Sequence, residues 1–147
     1  MAEARDIAAR SLEAFNAHDG DAVQALNAPD IRFEAPGGVR LQGRDAVAGY
    51  DKAWFNGFPD AKMTVQNELV SGPWVVQECT FEGTHTGSFD GPGGTIPATG
   101  RRLVGKCVQI GRYENGQAID VRLYYDQMEM LTQLGLMPEP AATAVTS

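Results

Sequence analysis

The dipeptide Asn115-Gly116 stands between two long apolar runs, Arg101 to Tyr113 and Ala118 to Tyr125. Asn-Gly in that setting favours a two-residue hairpin turn, because both central residues must take positive φ. Two more runs precede this pair, Ala61 to Val70 and Trp74 to His85, parted by the turn residues Ser71-Gly72-Pro73. The second half of the chain therefore reads as long antiparallel strands in a meander. Gly91-Pro92-Gly93-Gly94 and Pro97 mark a long loop before the last two strands.

The first half carries a different period. Ile7, Leu12 and Phe15 form an apolar stripe at helical spacing over Ala2 to Ala17. His18-Asp19-Gly20 breaks that helix, and Asp19 or Gly20 can cap a second, short one through Ala22, Val23 and Leu26. Ile31 to Glu34 alternates as a strand, stopped by Pro36-Gly37-Gly38. A third helix runs from Arg44 or Asp45 through Phe55, its face made of Val47, Tyr50 or Asp51, and Trp54. A short last helix passes through Met128, Leu131 and Leu134 and stops at Gly135 and Pro138. Helices first and strands later predict an α+β fold with helices packed on one face of a curved sheet. The expected domain spans 1–140, with a flexible tail over 141–147.

The 147 residues suit one domain with one core. A net charge of −7 argues against nucleic acid, which demands clustered Lys and Arg. No apolar run approaches a membrane span, and no signal-like stretch follows Met1, so a cytoplasmic location is expected. Cys79 and Cys107 lie in apolar strand patterns outside any Cys-x-x-Cys and read as buried, inert thiols. His18 and His85 lack ligand spacing, so no metal site is expected.

Five segments, in order over about 125 residues, resemble the SnoaL-like polyketide cyclase family. That family sits within the nuclear-transport-factor-2-like and ketosteroid-isomerase-like superfamily. The segments are Glu13-Ala14-Phe15-Asn16-Ala17-His18-Asp19, Gly83-Thr84-His85-Thr86-Gly87, Ile96 to Arg102, Arg112-Tyr113-Glu114-Asn115-Gly116, and Asp126 through Gln133-Leu134-Gly135. The resemblance implies an α+β cone around a deep, mostly apolar pocket, no cofactor, and a homodimer or higher homo-oligomer. The implied partner is a hydrophobic small molecule, polycyclic aromatics among the candidates.

The resemblance makes Asp126 the acid/base residue of an intramolecular aldol ring closure. A carboxylate in an apolar pocket has its neutral form favoured and becomes a stronger base. By local pattern alone, Asp126 is equally an N-cap for the helix it precedes, with Glu129 at capping-box distance. On the last strand, Val121, Leu123 and Tyr125 should face opposite to Arg122, Tyr124 and Asp126. Arg122 and Tyr124 are therefore expected beside Asp126 as substrate-binding residues.

His85 is a second catalytic candidate, able to orient a substrate oxygen; the alternative is backbone bonding at a strand end. Gln109 is expected to bind substrate. With a one-residue shift, Gln109 and Gly111 resemble the Gln-x-His pair of the cyclases, with glycine in place of the histidine. Trp54 and Phe33 are expected to stack on a flat ligand. Arg122 with Asp120 resembles, in a different order, the Asp/Arg arrangement of epoxide hydrolases on the same cone. The rival expectations are such a hydrolase, a cofactor-independent hydroxylase, or a non-catalytic small-molecule-binding dimeric module.

Overall fold

The computed structural model describes residues 3–137. The end of the expected domain, 138–140, and the expected tail lie outside the described residues. Three helices are concentrated in the first half: α1 (Ala4–Asn16), α2 (Gly20–Ala25) and α3 (Arg44–Gly57). Between α2 and α3 run β1 (Asn27–Ala35) and β2 (Val39–Gln42). Then follow β3 (Lys62–Ser71), β4 (Trp74–Thr84), the short β5 (Phe89–Gly91) and β6 (Gly94–Ile96), β7 (Arg102–Glu114), β8 (Gln117–Tyr125) and α4 (Gln127–Gln133). The expected α+β class is what the chain adopts.

The punctuation works as its chemistry dictates. Asp19 caps α2 by accepting the Ala22 N–H at 3.0 Å. Asn115 and Gly116 both take positive φ, 54° and 76°, and close the β7–β8 hairpin. Gly135, at φ 74°, ends α4 with Leu136 N–H bonded to Leu131 and Gly135 N–H bonded to Thr132. That is the paired bonding of a Schellman stop.

The main sheet has the order β2-β1-β8-β7-β4-β3. Here the expectation of a purely antiparallel meander is corrected. β1 pairs with β8 in parallel, Phe33 opposite Val121 and Glu34 opposite Arg122. Hairpin signals report only on chain neighbours, and β1 meets β8 across most of the sequence. The long loop is also more ordered than expected, since β5 and β6 pair within it, Phe89 opposite Ile96.

Register shifts between Val65 and Asn67 and between Arg112 and Tyr113 bend the long strands. The curved sheet closes over α1 and α3 and buries two apolar clusters. One gathers Trp54, Phe58, Phe81, Phe89, Leu103 and Met130. The other gathers Ile7, Ile31, Phe33, Val75, Tyr113 and Val121.

A candidate active site in the mouth of the cone

Between the two clusters the side chains do not fill the cone. The space open to the centre of a water molecule is about 130 Å³. Its walls come from both clusters, including Phe33, Trp54, Phe81, Leu103, Val121 and Leu123. Of the residues lining it, Lys106, Asp126 and Glu129 are exposed, and they mark the mouth.

Asp126 stands where β8 gives way to α4. Its backbone turns to φ −87° and ψ 104°, and its Oδ1 accepts the Glu129 N–H at 3.1 Å. Only half of a capping box forms, because the Glu129 carboxylate accepts instead from Gln133 Nε2 at 3.2 Å. No protein group bonds the other Asp126 oxygen among the described residues. Asp126 is thus both a cap and part of the cavity lining. It is exposed, however, so the desolvation expected of it is not found there.

The strand parity expected around Asp126 is corrected. Val121, Leu123 and Tyr125 line the cavity, and Arg122 and Tyr124 are absent from its walls. Tyr124 is 51% exposed. Arg122 lies beside Asp120 at 3.5 Å and Glu34 at 3.8 Å on the outer face. Asp126 escapes the alternation because the strand ends at Tyr125 and a cap residue turns the chain inward. Among the described residues no arginine lines the cavity, so the Asp/Arg arrangement of an epoxide hydrolase is not assembled by them.

Phe33, Trp54 and Gln109 do line the cavity. Gln109 sits beside Tyr113, whose phenol is pushed up to about 12, chiefly by burial and partly offset by the Gln109 amide. Gly111 has a packing reason. A Cβ there would stand 2.5 Å from the Tyr113 hydroxyl, so the position cannot hold a histidine without displacing that ring.

His85 is placed elsewhere. It is completely buried, stacked on Phe58 with ring centroids 5.1 Å apart, and it is not part of the cavity wall. Its Nδ1 accepts the Thr99 N–H at 3.2 Å and lies 3.0 Å from the Thr99 hydroxyl. Its backbone bonds Arg101 and Gly100, each at 2.8 Å. Burial lowers its pKa, with the Ile96 carbonyl pulling the other way. A neutral ring thus pins the β6–β7 connection, which is the bonding role open to it in the sequence.

One lining residue was only half visible in the sequence. Asp51 falls on the inner stripe of α3, with Val47 and Trp54, and reaches the cavity. No hydrogen bond or ion pair engages it among the described residues, and burial alone pushes its carboxyl up to about 7. A carboxylate in the apolar stripe of a helix was the available signal. Next to it, the Tyr50 hydroxyl and the Trp54 indole N–H are buried without a well-formed hydrogen bond. Desolvation raises the Tyr50 pKa, the nearby Tyr125 phenol adds to that, and the Trp54 N–H partly offsets it. Cys79 and Cys107, opposite each other across β4 and β7, are buried free thiols.

A curved sheet closed over helices around an apolar cavity, with carboxyls at its mouth and wall, is the nuclear-transport-factor-2-like fold. The sequence pattern of the SnoaL-like polyketide cyclases matches residues 5–134, and the chain belongs to that family. It is 28% identical over 135 residues to the aklanonic acid methyl ester cyclase DnrD of Streptomyces peucetius, covering 88% of this chain and 89% of that one. The solved structure of IdmH from Streptomyces antibioticus, a polyketide cyclase candidate, superposes with a TM-score of 0.77. The two share 29% identity, over 91% of this chain and 99% of that one. AclR from Streptomyces galilaeus, a hydroxylase candidate, superposes at 0.81 with 20% identity over 97% of this chain and 87% of that one, a likeness of fold. Among the described residues no helix is long and apolar enough to cross a membrane.

Proposed function

We propose that this chain is a cofactor-independent cyclase that closes a ring in a polyketide-type substrate by intramolecular aldol addition, with Asp126 as its proton-transfer residue. The observation that carries this reading is the carboxylate of Asp126 at the mouth of an apolar cavity, one oxygen held by a backbone N–H and the other without a protein partner among the described residues. The held oxygen fixes the carboxylate in place. The free oxygen is available to take a proton from carbon between two carbonyl groups.

The cavity supplies the second requirement. Ring closure needs the nucleophilic carbon and the ketone folded onto each other, and close walls of Trp54, Phe33 and Leu123 favour a flat, folded substrate over an extended one. The DnrD relative supports this substrate class. Asp126 also caps α4, the bond a non-catalytic binding module would keep; its place in the cavity lining, with one oxygen left for a ligand, is what favours chemistry.

The test is incubation of the purified chain with aklanonic acid methyl ester, followed by chromatography and mass spectrometry. The expected result is a product of unchanged mass and new retention, formed at least ~100-fold more slowly by Asp126→Asn. Tight binding of an ester that is never converted would replace this reading with the binding module.

A further inference from the structure

We propose that Asp51 is a second proton-exchanging residue of this cavity, placed to give its carboxyl hydrogen to a ligand's carbonyl oxygen and, in ring closure, to the alkoxide that the closure creates. This inference rests on the cyclase reading for its chemistry, though not for its geometry.

The geometry is that of α3. Val47, Asp51, Trp54 and Phe58 form one stripe from the helix into its C-cap, and Val47, Trp54 and Phe58 are buried core. Helical periodicity asks for an apolar side chain at the position of Asp51. Instead a carboxyl projects into the cavity with no cation and no hydrogen-bond donor engaging it among the described residues.

The same turn of helix carries two buried groups without a well-formed partner, the Tyr50 hydroxyl and the Trp54 indole N–H, which face each other and the Tyr125 phenol. Buried polar groups in folded proteins are almost always paired. Two such groups beside an unengaged carboxyl, all belonging to residues of one cavity wall, mark a place where a bound molecule supplies further partners. The ligand feature that fits is a carbonyl oxygen: it accepts from Asp51 in its acid form, and an enol hydroxyl could donate to it in return.

With Asp126 at the mouth and Asp51 on the α3 wall, the two halves of an aldol closure fall to different residues. The carbon–hydrogen bond between two carbonyl groups breaks, and its proton goes to the Asp126 carboxylate. The electron pair left on carbon forms the new carbon–carbon bond to the ketone carbon. The carbonyl π pair moves onto the ketone oxygen, which takes the Asp51 proton. Substrate and product are isomers. A proton passing through water at the mouth, from Asp126 to Asp51, restores both groups. The substrate must therefore present its acidic carbon towards α4 and its ketone oxygen towards α3.

The test compares the wild-type chain with Asp51→Asn and Asp126→Asn. Asparagine keeps size and a donor at position 51 but cannot exchange a proton. With aklanonic acid methyl ester, Asp51→Asn should lower kcat at least ~100-fold while KM moves less than ~3-fold. The wild-type kcat should fall as pH rises through the Asp51 transition, and residual Asp51→Asn activity should lack that limb. The other titratable groups of the cavity are Tyr50, Lys106, Cys107, Tyr113, Tyr125, Asp126 and Glu129. Asp126→Asn removes the only other aspartate among them.

A second readout needs no turnover. Carboxyl-carbon NMR should show one aspartate, missing in Asp51→Asn, that titrates near neutral pH and shifts when 1,8-dihydroxyanthraquinone is added. A kcat within ~3-fold of wild type with the alkaline limb intact overturns the proposal and leaves the cyclase reading standing. If the wild type leaves the ester unreacted, the cyclase reading falls and the carbon signal decides Asp51 alone. A shift with the anthraquinone upholds it as a donor to ligand oxygen; an unmoved signal overturns it.

Discussion

The side-chain amide of Gln133 pairs with both backbone groups of Val104, accepting its N–H at 2.8 Å and donating to its carbonyl at 2.8 Å. β8 ends at Tyr125, opposite Cys107 on β7, so the β7 backbone beyond Cys107 has lost its neighbour on that side. The glutamine amide takes the place of one more strand residue and straps α4 to the sheet beside the cavity mouth. Asn16 does the same for α1, pairing with the backbone of Met63 at 2.9 and 2.8 Å.

Gln133→Ala should therefore loosen α4 more than its surface position suggests. Two backbone groups lose a protein partner and one helix loses its tether. We expect a loss of roughly 1–2 kcal/mol in urea unfolding. Because α4 carries Met130 into the core, hydrogen exchange over Gln127–Gln133 should speed up before the rest of the chain does. Unchanged exchange there would mean that core packing alone holds the helix.

Asp51 ties stability to pH. Its folded-state pKa of about 7 lies above the ordinary value of 3.8. Between those two values the native state holds a proton that the unfolded chain has released. Stability therefore falls as pH rises from about 4 to about 7, then levels off. The full effect is at most ~4 kcal/mol, at about 1.4 kcal/mol per unit of pKa, and water entering the cavity would reduce it. Asp51→Asn should remove this slope and be more stable than wild type at pH 8. Parallel urea midpoints at pH 5 and pH 8 check it; an unaltered slope in the variant would refute it.

His85→Ala should cost stability. The change removes two contacts to Thr99 and the stacking on Phe58, and leaves a void in a fully buried site. About 2–4 kcal/mol is expected from thermal or urea unfolding. Below its melting temperature the variant should bind 1,8-dihydroxyanthraquinone as the wild type does, since the imidazole does not line the cavity. Binding weakened by more than tenfold in the folded variant would return His85 to the site.

Gly111→Ala tests the floor of the cone. The added methyl would meet Tyr113 Oη, Cε2 and Cζ at 2.5, 2.6 and 2.7 Å. Tyr113 is buried, so its ring has little room to retreat. The overpacking should cost about 1–3 kcal/mol. It should also disturb the neighbouring Gln109, visible as a change in the Tyr113 absorbance titration. A neutral substitution would show that the ring can move.

Much of this protein is local and was legible as sequence. The Asp19 cap, the Asn115-Gly116 hairpin, the Gly135 stop and the four long strands each depend on residues within a few positions of one another. The resemblance carried by ordered short segments added the cone, the family and the interest of Asp126 and Gln109; the aromatic inventory added Trp54 and Phe33, and all four line one cavity. The tertiary structure decided what no local rule reaches. β1 lies parallel to β8 because the two meet across nearly a hundred residues, where hairpin chemistry has no hold. Tyr124 and Arg122 point outward although they share strand parity with the position of Asp126, because the strand stops at Tyr125 and a cap breaks the alternation. His85 is sealed against Phe58 and Thr99, though its motif marked it for chemistry. The more sheltered carboxyl of the cavity is Asp51 and not Asp126, because desolvation is set by what surrounds a group from every side. A sequence lists neighbours along one dimension; a pocket is made by neighbours in three.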